Sequence, residues 1–145
     1  MEKELKEILK NLKEVLSNSN FELVRLDICD REGILALFKR VQPSLVAHLA
    51  AKVDTRAAVE DPQTYVNTNI TGTLNVFDAA KEVGVKNIVF VSSSSVYGND
   101  EQVPWREDAT TDRPLSPYGA TKRAGELFAH AYHHNFGLNI TCLRY

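Results

Sequence analysis

Apolar side chains at positions 5, 8, 9, 12, 15 and 16 recur in steps of three and four among Glu and Lys. That spacing predicts an amphipathic helix over residues 2–16, with a linker to residue 19. Residues 21–26 form a short run rich in apolar side chains and read as a strand. Asp30 stands at a helix cap position and opens a helix from about Arg31 to Val41, which Pro43 stops. Residues 45–49 read as a short buried strand. Asp61-Pro62 pairs an acidic cap with a proline in the first turn, and so begins a long helix. It runs to about Val83 and ends at Gly84. A strand over 88–92, a polar loop over 98–116, a second long helix from Pro117 to about Phe136-Gly137 and a strand over 138–143 complete the chain.

Strands that alternate with helices predict an α/β fold with a mainly parallel sheet of about four strands. A length of 145 residues suits one domain, and 43% apolar residues suit a packed core. A net charge of −2 gives no attraction to nucleic acid or membrane surfaces. Residues 1–16 are too charged for a signal peptide, and no stretch approaches the ~18 apolar residues of a membrane span. Cys29 and Cys142 fall beside strands and read as buried thiols of a reducing, cytoplasmic compartment. No Cys/His spacing suggests a metal.

Tyr118 and Lys122 lie one helical turn apart, so phenol and ammonium share a helix face. A free tyrosine titrates near pH ~10. A neighbouring cation favours the phenolate. Such a tyrosine can take a proton from a sugar or alcohol hydroxyl while a carbon-bound hydride leaves for a nicotinamide. Ser93, at the end of the apolar run 88–92, could hydrogen-bond the same oxygen. The Tyr/Lys spacing by itself favours a half-buried tyrosine and a solvated lysine on an ordinary helix. His48 reads as a satisfied strand-end histidine.

The neighbouring residues carry more. Ser92-Ser93-Ser94-Ser95-Val96-Tyr97-Gly98 followed by Ser116-Pro117-Tyr118-Gly119-Ala120-Thr121-Lys122 resembles the extended short-chain dehydrogenase/reductase family, within it the NAD-dependent nucleotide-sugar epimerases. The wording is nearest to UDP-glucuronate 4-epimerases. Asp27-Ile28-Cys29-Asp30, His48-Leu49-Ala50-Ala51 and Asn69-Ile70-Thr71-Gly72-Thr73 match further pieces in order. The resemblance covers residues 20–145 and implies an incomplete Rossmann-like, doubly wound sheet. It implies catalytic roles for Ser93, Tyr118 and Lys122, and substrate contacts from Ser93 and Ser94. It implies an NAD site drawn from Asp27, Ile28, Leu49, Ala50, Ala51, Asn69, Tyr118 and Lys122. A UDP-sugar substrate follows, as does a homodimer through helices 61–83 and 117–136, to which Leu74, Phe77, Leu127 and Phe128 could contribute. Two serines at 94 and 95, where the family's dehydratases and decarboxylases place acids, favour epimerisation.

One piece is missing. The family grips the cofactor diphosphate with Gly-x-x-Gly-x-x-Gly, where backbone comes close to the phosphates. The seven glycines here stand at 33, 72, 84, 98, 119, 125 and 137, none within three residues of another. The first two family strands are also unmatched, which leaves a gap in the sheet that either residues 21–26 or another chain would close. The expectation is a partial NAD-binding-type domain of a sugar 4-epimerase, inactive alone. The alternatives are a non-catalytic α/β oligomerisation or binding module, and a family dehydratase or decarboxylase completed by a second chain.

Overall fold

The computed structural model describes residues 13–145. Most of the helix expected over 2–16 lies outside the described residues, and its last turn, Lys13–Leu16, is helical. Asp30 caps α1 (Arg31–Val41) by accepting the Gly33 N–H. Strand β1 (Leu45–His48) follows. Asp54 caps a short α2 (Thr55–Glu60), which the sequence pattern did not predict. Asp61 and Pro62 open α3 (Pro62–Tyr65). The expected single helix to residue 83 then widens into one π-helical turn, Val66–Thr71, before α4 (Gly72–Glu82). Strand β2 (Asn87–Val91), a 3₁₀ turn (Ser94–Tyr97), α5 (Pro117–Phe136) and β3 (Asn139–Leu143) complete the order.

The sheet has three parallel strands in the order β1-β2-β3, with His48 opposite Phe90 and Phe90 opposite Cys142. Alternation along the strands turns Val46, His48, Ile88, Phe90, Ile140 and Cys142 toward one side. There Ile34 and Phe38 of α1, Val76 and Phe77 of α4 and Ala129 of α5 meet them in one core. Gly125 lets α5 close on that core, because a Cβ there would strike the Phe90 ring.

Two expectations are corrected. Residues 21–26 form no strand ladder. An exposed Glu22–Arg40 ion pair and the Leu26 side chain, which packs at Gly33, tie this segment to α1, and a groove lined by Phe21, Leu23, Phe38, Leu45 and Val46 lies between the segment and β1. Apolar pattern alone gave those residues a strand's preference but no partner within reach, so the outer edge of β1 stays unpaired among the described residues. Cys29 is exposed, because the turn after Asp27 brings it to the surface, where its thiol reaches the Asn67 carbonyl. Cys142 is half-buried and free.

Candidate active site

In a parallel sheet every strand ends at the same rim. Here the rim joins the chain just after His48, Val91 and Leu143. Helix α5 begins against it. Ser116 caps the helix by accepting the Gly119 N–H, and Pro117 occupies the first turn. Gly119 is required because any Cβ there would press on the Ser95 carbonyl oxygen at 2.7 Å. The first turn of α5 is thereby seated on the turn that contains Ser93.

Four-residue steps along α5 place Tyr118, Lys122 and Glu126 on one face, and all three are buried. The Lys122 ammonium donates to the Val91 carbonyl at 2.8 Å and lies 5.3 Å from the Phe90 ring centre. Burial pulls its pKa down to about 8. An ammonium has three donors, and among the described residues Lys122 uses one of them. Two remain for a ligand's hydroxyls at the rim.

Ser93 stands two residues beyond Val91. Its hydroxyl donates to Ser95 Oγ and accepts the Ser95 N–H, both at 3.1 Å. On either side its backbone is tied to the continuation of β3: Ser92 N–H to the Leu143 carbonyl, and Ser94 N–H to the Tyr145 carbonyl. Ser94 also lines a cleft with Tyr97, Trp105, Glu107 and Arg144. The Tyr118 ring meets the Tyr65 ring edge-on at 6.5 Å. Its hydroxyl makes no hydrogen bond to Ser93 or Lys122. The structure thus brings Ser93, Tyr118 and Lys122 to one rim without direct bonds among them.

Asn69 explains the π-helical turn. The extra residue of that turn carries its side chain inward, where it is 2% exposed. The amide donates to the Lys52 carbonyl and to Thr121 Oγ1, and accepts the Lys52 N–H. Thr121 in turn donates to the Tyr118 carbonyl. One side chain therefore fixes the loop that holds Leu49, Ala50 and Ala51 to the start of α5. Leu49 is 64% exposed at that loop. His48 supports the same corner. Thr73 O–H donates to the Asn69 carbonyl, so His48 Nε2–H must donate to Thr73 Oγ1 at 2.9 Å. Burial, helped by the Lys122 charge, pulls the imidazole down to about 4 and keeps it neutral.

Asp27 and Ile28 sit apart from the trio. The Asp27 carboxylate accepts the Cys29 N–H within its own turn. Ile28 packs where a Gly72 side chain would stand, and its carbonyl accepts from Asn75. That turn borders the π-helical turn but makes no hydrogen bond to Ser93, Tyr118 or Lys122.

The pattern had not singled out Thr121, Glu126 or Arg144. Glu126 accepts from Ser92 Oγ at 2.6 Å, from Arg123 at 2.9 Å and from Arg144 through two bonds at 2.9 Å. Burial alone would raise this carboxyl, but the bonds from Arg144, Ser92 and Arg123 outweigh it and hold it below the usual carboxylate value. The Lys122–Glu126 step is the signal that could have found it.

A family model described as GDP-mannose 4,6 dehydratase matches residues 2–145. The chain belongs to that family. It is 42% identical over 134 residues to a UDP-glucuronate 4-epimerase of Thermodesulfobacterium geofontis, with 92% of this chain and 41% of that protein covered. It is 46% identical over 132 residues to UDP-glucuronate 4-epimerase 4 of Arabidopsis thaliana, covering 90% of this chain and 30% of that one. Among solved structures, it is similar to the UDP-glucuronic acid 4-epimerase of Bacillus cereus in complex with UDP-glucuronic acid and NAD. That match has a TM-score of 0.84 and 36% identity, over 94% of this chain and 42% of that one. A UDP-glucose 4-epimerase of Thermus thermophilus in complex with NAD matches with a TM-score of 0.83 and 33% identity, over 88% of this chain and 42% of that one. The Rossmann-like α/β class expected from sequence and NAD as the family's cofactor both stand. The chain spans about 41% of the first curated relative's length.

The residues present suit one end of NAD. Lys122 offers two unspent donors, and the fixed loop beyond β1 has small side chains at Ala50 and Ala51. No closely spaced glycines are available for the diphosphate end.

Proposed function

We propose that this chain is the catalytic segment of an NAD-dependent nucleotide-sugar 4-epimerase, of the UDP-glucuronate or UDP-glucose type. The observation that carries the reading is the single face of α5 that sets Tyr118 and a buried Lys122 with free donors against the strand end bearing Ser93. In this role Tyr118, as phenolate, takes the proton of the sugar 4-hydroxyl and later returns it. Ser93 donates a hydrogen bond to the same oxygen, and Ser94 contacts the sugar from the adjoining cleft. Lys122 holds a ribose hydroxyl with its spare donors. Asn69 keeps the loop of Leu49, Ala50 and Ala51 in place beside the cofactor, and Asp27 and Ile28 border its adenine end. NAD, when bound, supplies the hydride acceptor and donor at sugar C4. The sugar passes through a 4-keto intermediate, turns over, and is reduced on its other face.

Ser94 and Ser95 cannot exchange a proton at C5 or C6 as an acid pair would, which supports epimerisation over the dehydration in the family's name. A homodimer through the helical regions 61–83 and 117–136 belongs to the same reading. Leu127, 56% exposed, is free for that contact, whereas Phe77 is fully buried in the core and Phe128 packs on it. Among the described residues no helix is long and apolar enough to cross a membrane. A cytoplasmic setting suits the chemistry.

The test is a chimera in which residues 20–145 replace the matching segment of a complete UDP-glucuronate 4-epimerase. It should interconvert the C4 epimers. Tyr118→Phe should lose turnover by at least about a hundredfold while keeping bound NAD. Undiminished epimerisation by that variant would remove Tyr118 from the mechanism.

A further inference from the structure

We infer that Glu126 is a positioning residue that locks the ends of β2 and β3 to the α5 face bearing Tyr118 and Lys122, and so sets where Ser93 and Ser94 stand relative to Tyr118. Helix α5 is stitched to β2 at two consecutive residues: Lys122 to the Val91 carbonyl, and Glu126 to the Ser92 hydroxyl. The second stitch extends sideways. Glu126 also takes both arms of Arg144, just past β3, and that guanidinium reaches the Tyr97 hydroxyl and the Glu107 carbonyl and lies over the Tyr97 ring. Tyr97 stacks on Trp105 with ring centres 5.1 Å apart. One carboxylate, 6% exposed, thereby ties a helix and two strand ends to the wall of the cleft that Ser94 lines. Arg144 directs Nε and Nη2 to Glu126 and Nη1 to Tyr97 and Glu107, so it acts as a clamp and not as an anion receptor.

The inference rests on the roles proposed above for Ser93 and Tyr118, but its test uses neither NAD nor sugar. Failure of the chimera with success here would reject the epimerase reading and keep the clamp. In the full chain, Glu126→Gln keeps the volume and removes the charge. Amide exchange at Ser94, Ser95 and Val96 should accelerate about ten- to a hundredfold, the scale of a lost charged hydrogen bond. Amides in the middle of β2 should stay within about threefold of wild type, since that local opening leaves the core closed. Emission of Trp105, the chain's one tryptophan, should shift as Arg144 leaves Tyr97. Uniform acceleration across β2 and the turn, or an unchanged turn and unchanged Trp105 emission, overturns the proposal. Should Glu126→Gln fail to fold, Ser92→Ala decides. It keeps the Glu126–Arg144 pair, so faster exchange confined to residues 94–96 with unchanged Trp105 emission supports the clamp, and no change there rejects it.

Discussion

Lys122→Met should stabilise the protein at neutral pH and destabilise it at high pH. In the unfolded chain the lysine titrates near 10.5, and burial brings it to about 8 in the fold. A gap of about 2.5 pKa units corresponds to roughly 3 kcal/mol of cost for holding the cation in the folded state at pH 7. Methionine removes that cost and fills similar space. It also removes the bond to the Val91 carbonyl, at about 1 kcal/mol. The net expectation at pH 7 is a gain of about 2 kcal/mol. Between pH 8 and 10.5 the unfolded wild type holds a proton that the folded form has released, so wild-type stability rises with pH across that window. Above it only the lost hydrogen bond remains, and the variant becomes the weaker by about 1 kcal/mol. Urea unfolding followed by circular dichroism at pH 7 and at pH 10.5 reads both ends. A variant less stable than wild type at pH 7, or a difference that does not change with pH, would refute the reasoning. A gain would mean that the site keeps a destabilising cation for its chemistry.

Gly98 has φ +64, and a Cβ there would run into the Arg113 carbonyl, so Gly98→Ala should cost at least about 2 kcal/mol in a thermal melt. Thr111 is 2% exposed and its hydroxyl has no hydrogen-bond partner among the described residues, so Thr111→Val should stabilise by about 1 kcal/mol in urea unfolding. His48 is held at about 4 against 6.5 when free, so the unfolded chain takes up its proton first as pH falls. Wild type should lose up to about 3 kcal/mol between pH 6.5 and 4, with the imidazole remaining neutral by NMR until near pH 4.

Local chemistry made much of this legible beforehand. Asp30, Asp61, Pro62, Ser116, Pro117 and Gly137 mark helix ends through caps and backbone preference, which act within a few residues and so can be read along the chain. The strand pattern fixed three strands near their observed bounds. The π-helical turn was not legible, because Asn69 turns inward only to meet Lys52 and Thr121, residues 17 and 52 positions away. Residues 21–26 misled for the converse reason: a strand needs a neighbour, and pattern carries no information about whether one lies beside it.

For the candidate site the division is the same. Tyr118 and Lys122 are one helical turn apart, and covalent geometry alone puts them on one face, so that shared face was decided by sequence. That Lys122 would be buried with two spare donors, that Gly119 would bring the helix onto the Ser93 turn, and that Glu126 would gather Ser92, Arg123 and Arg144 depended on how α5 settles on the sheet. Burial and charge pairing arise from packing between distant segments, and that is where tertiary structure alone speaks.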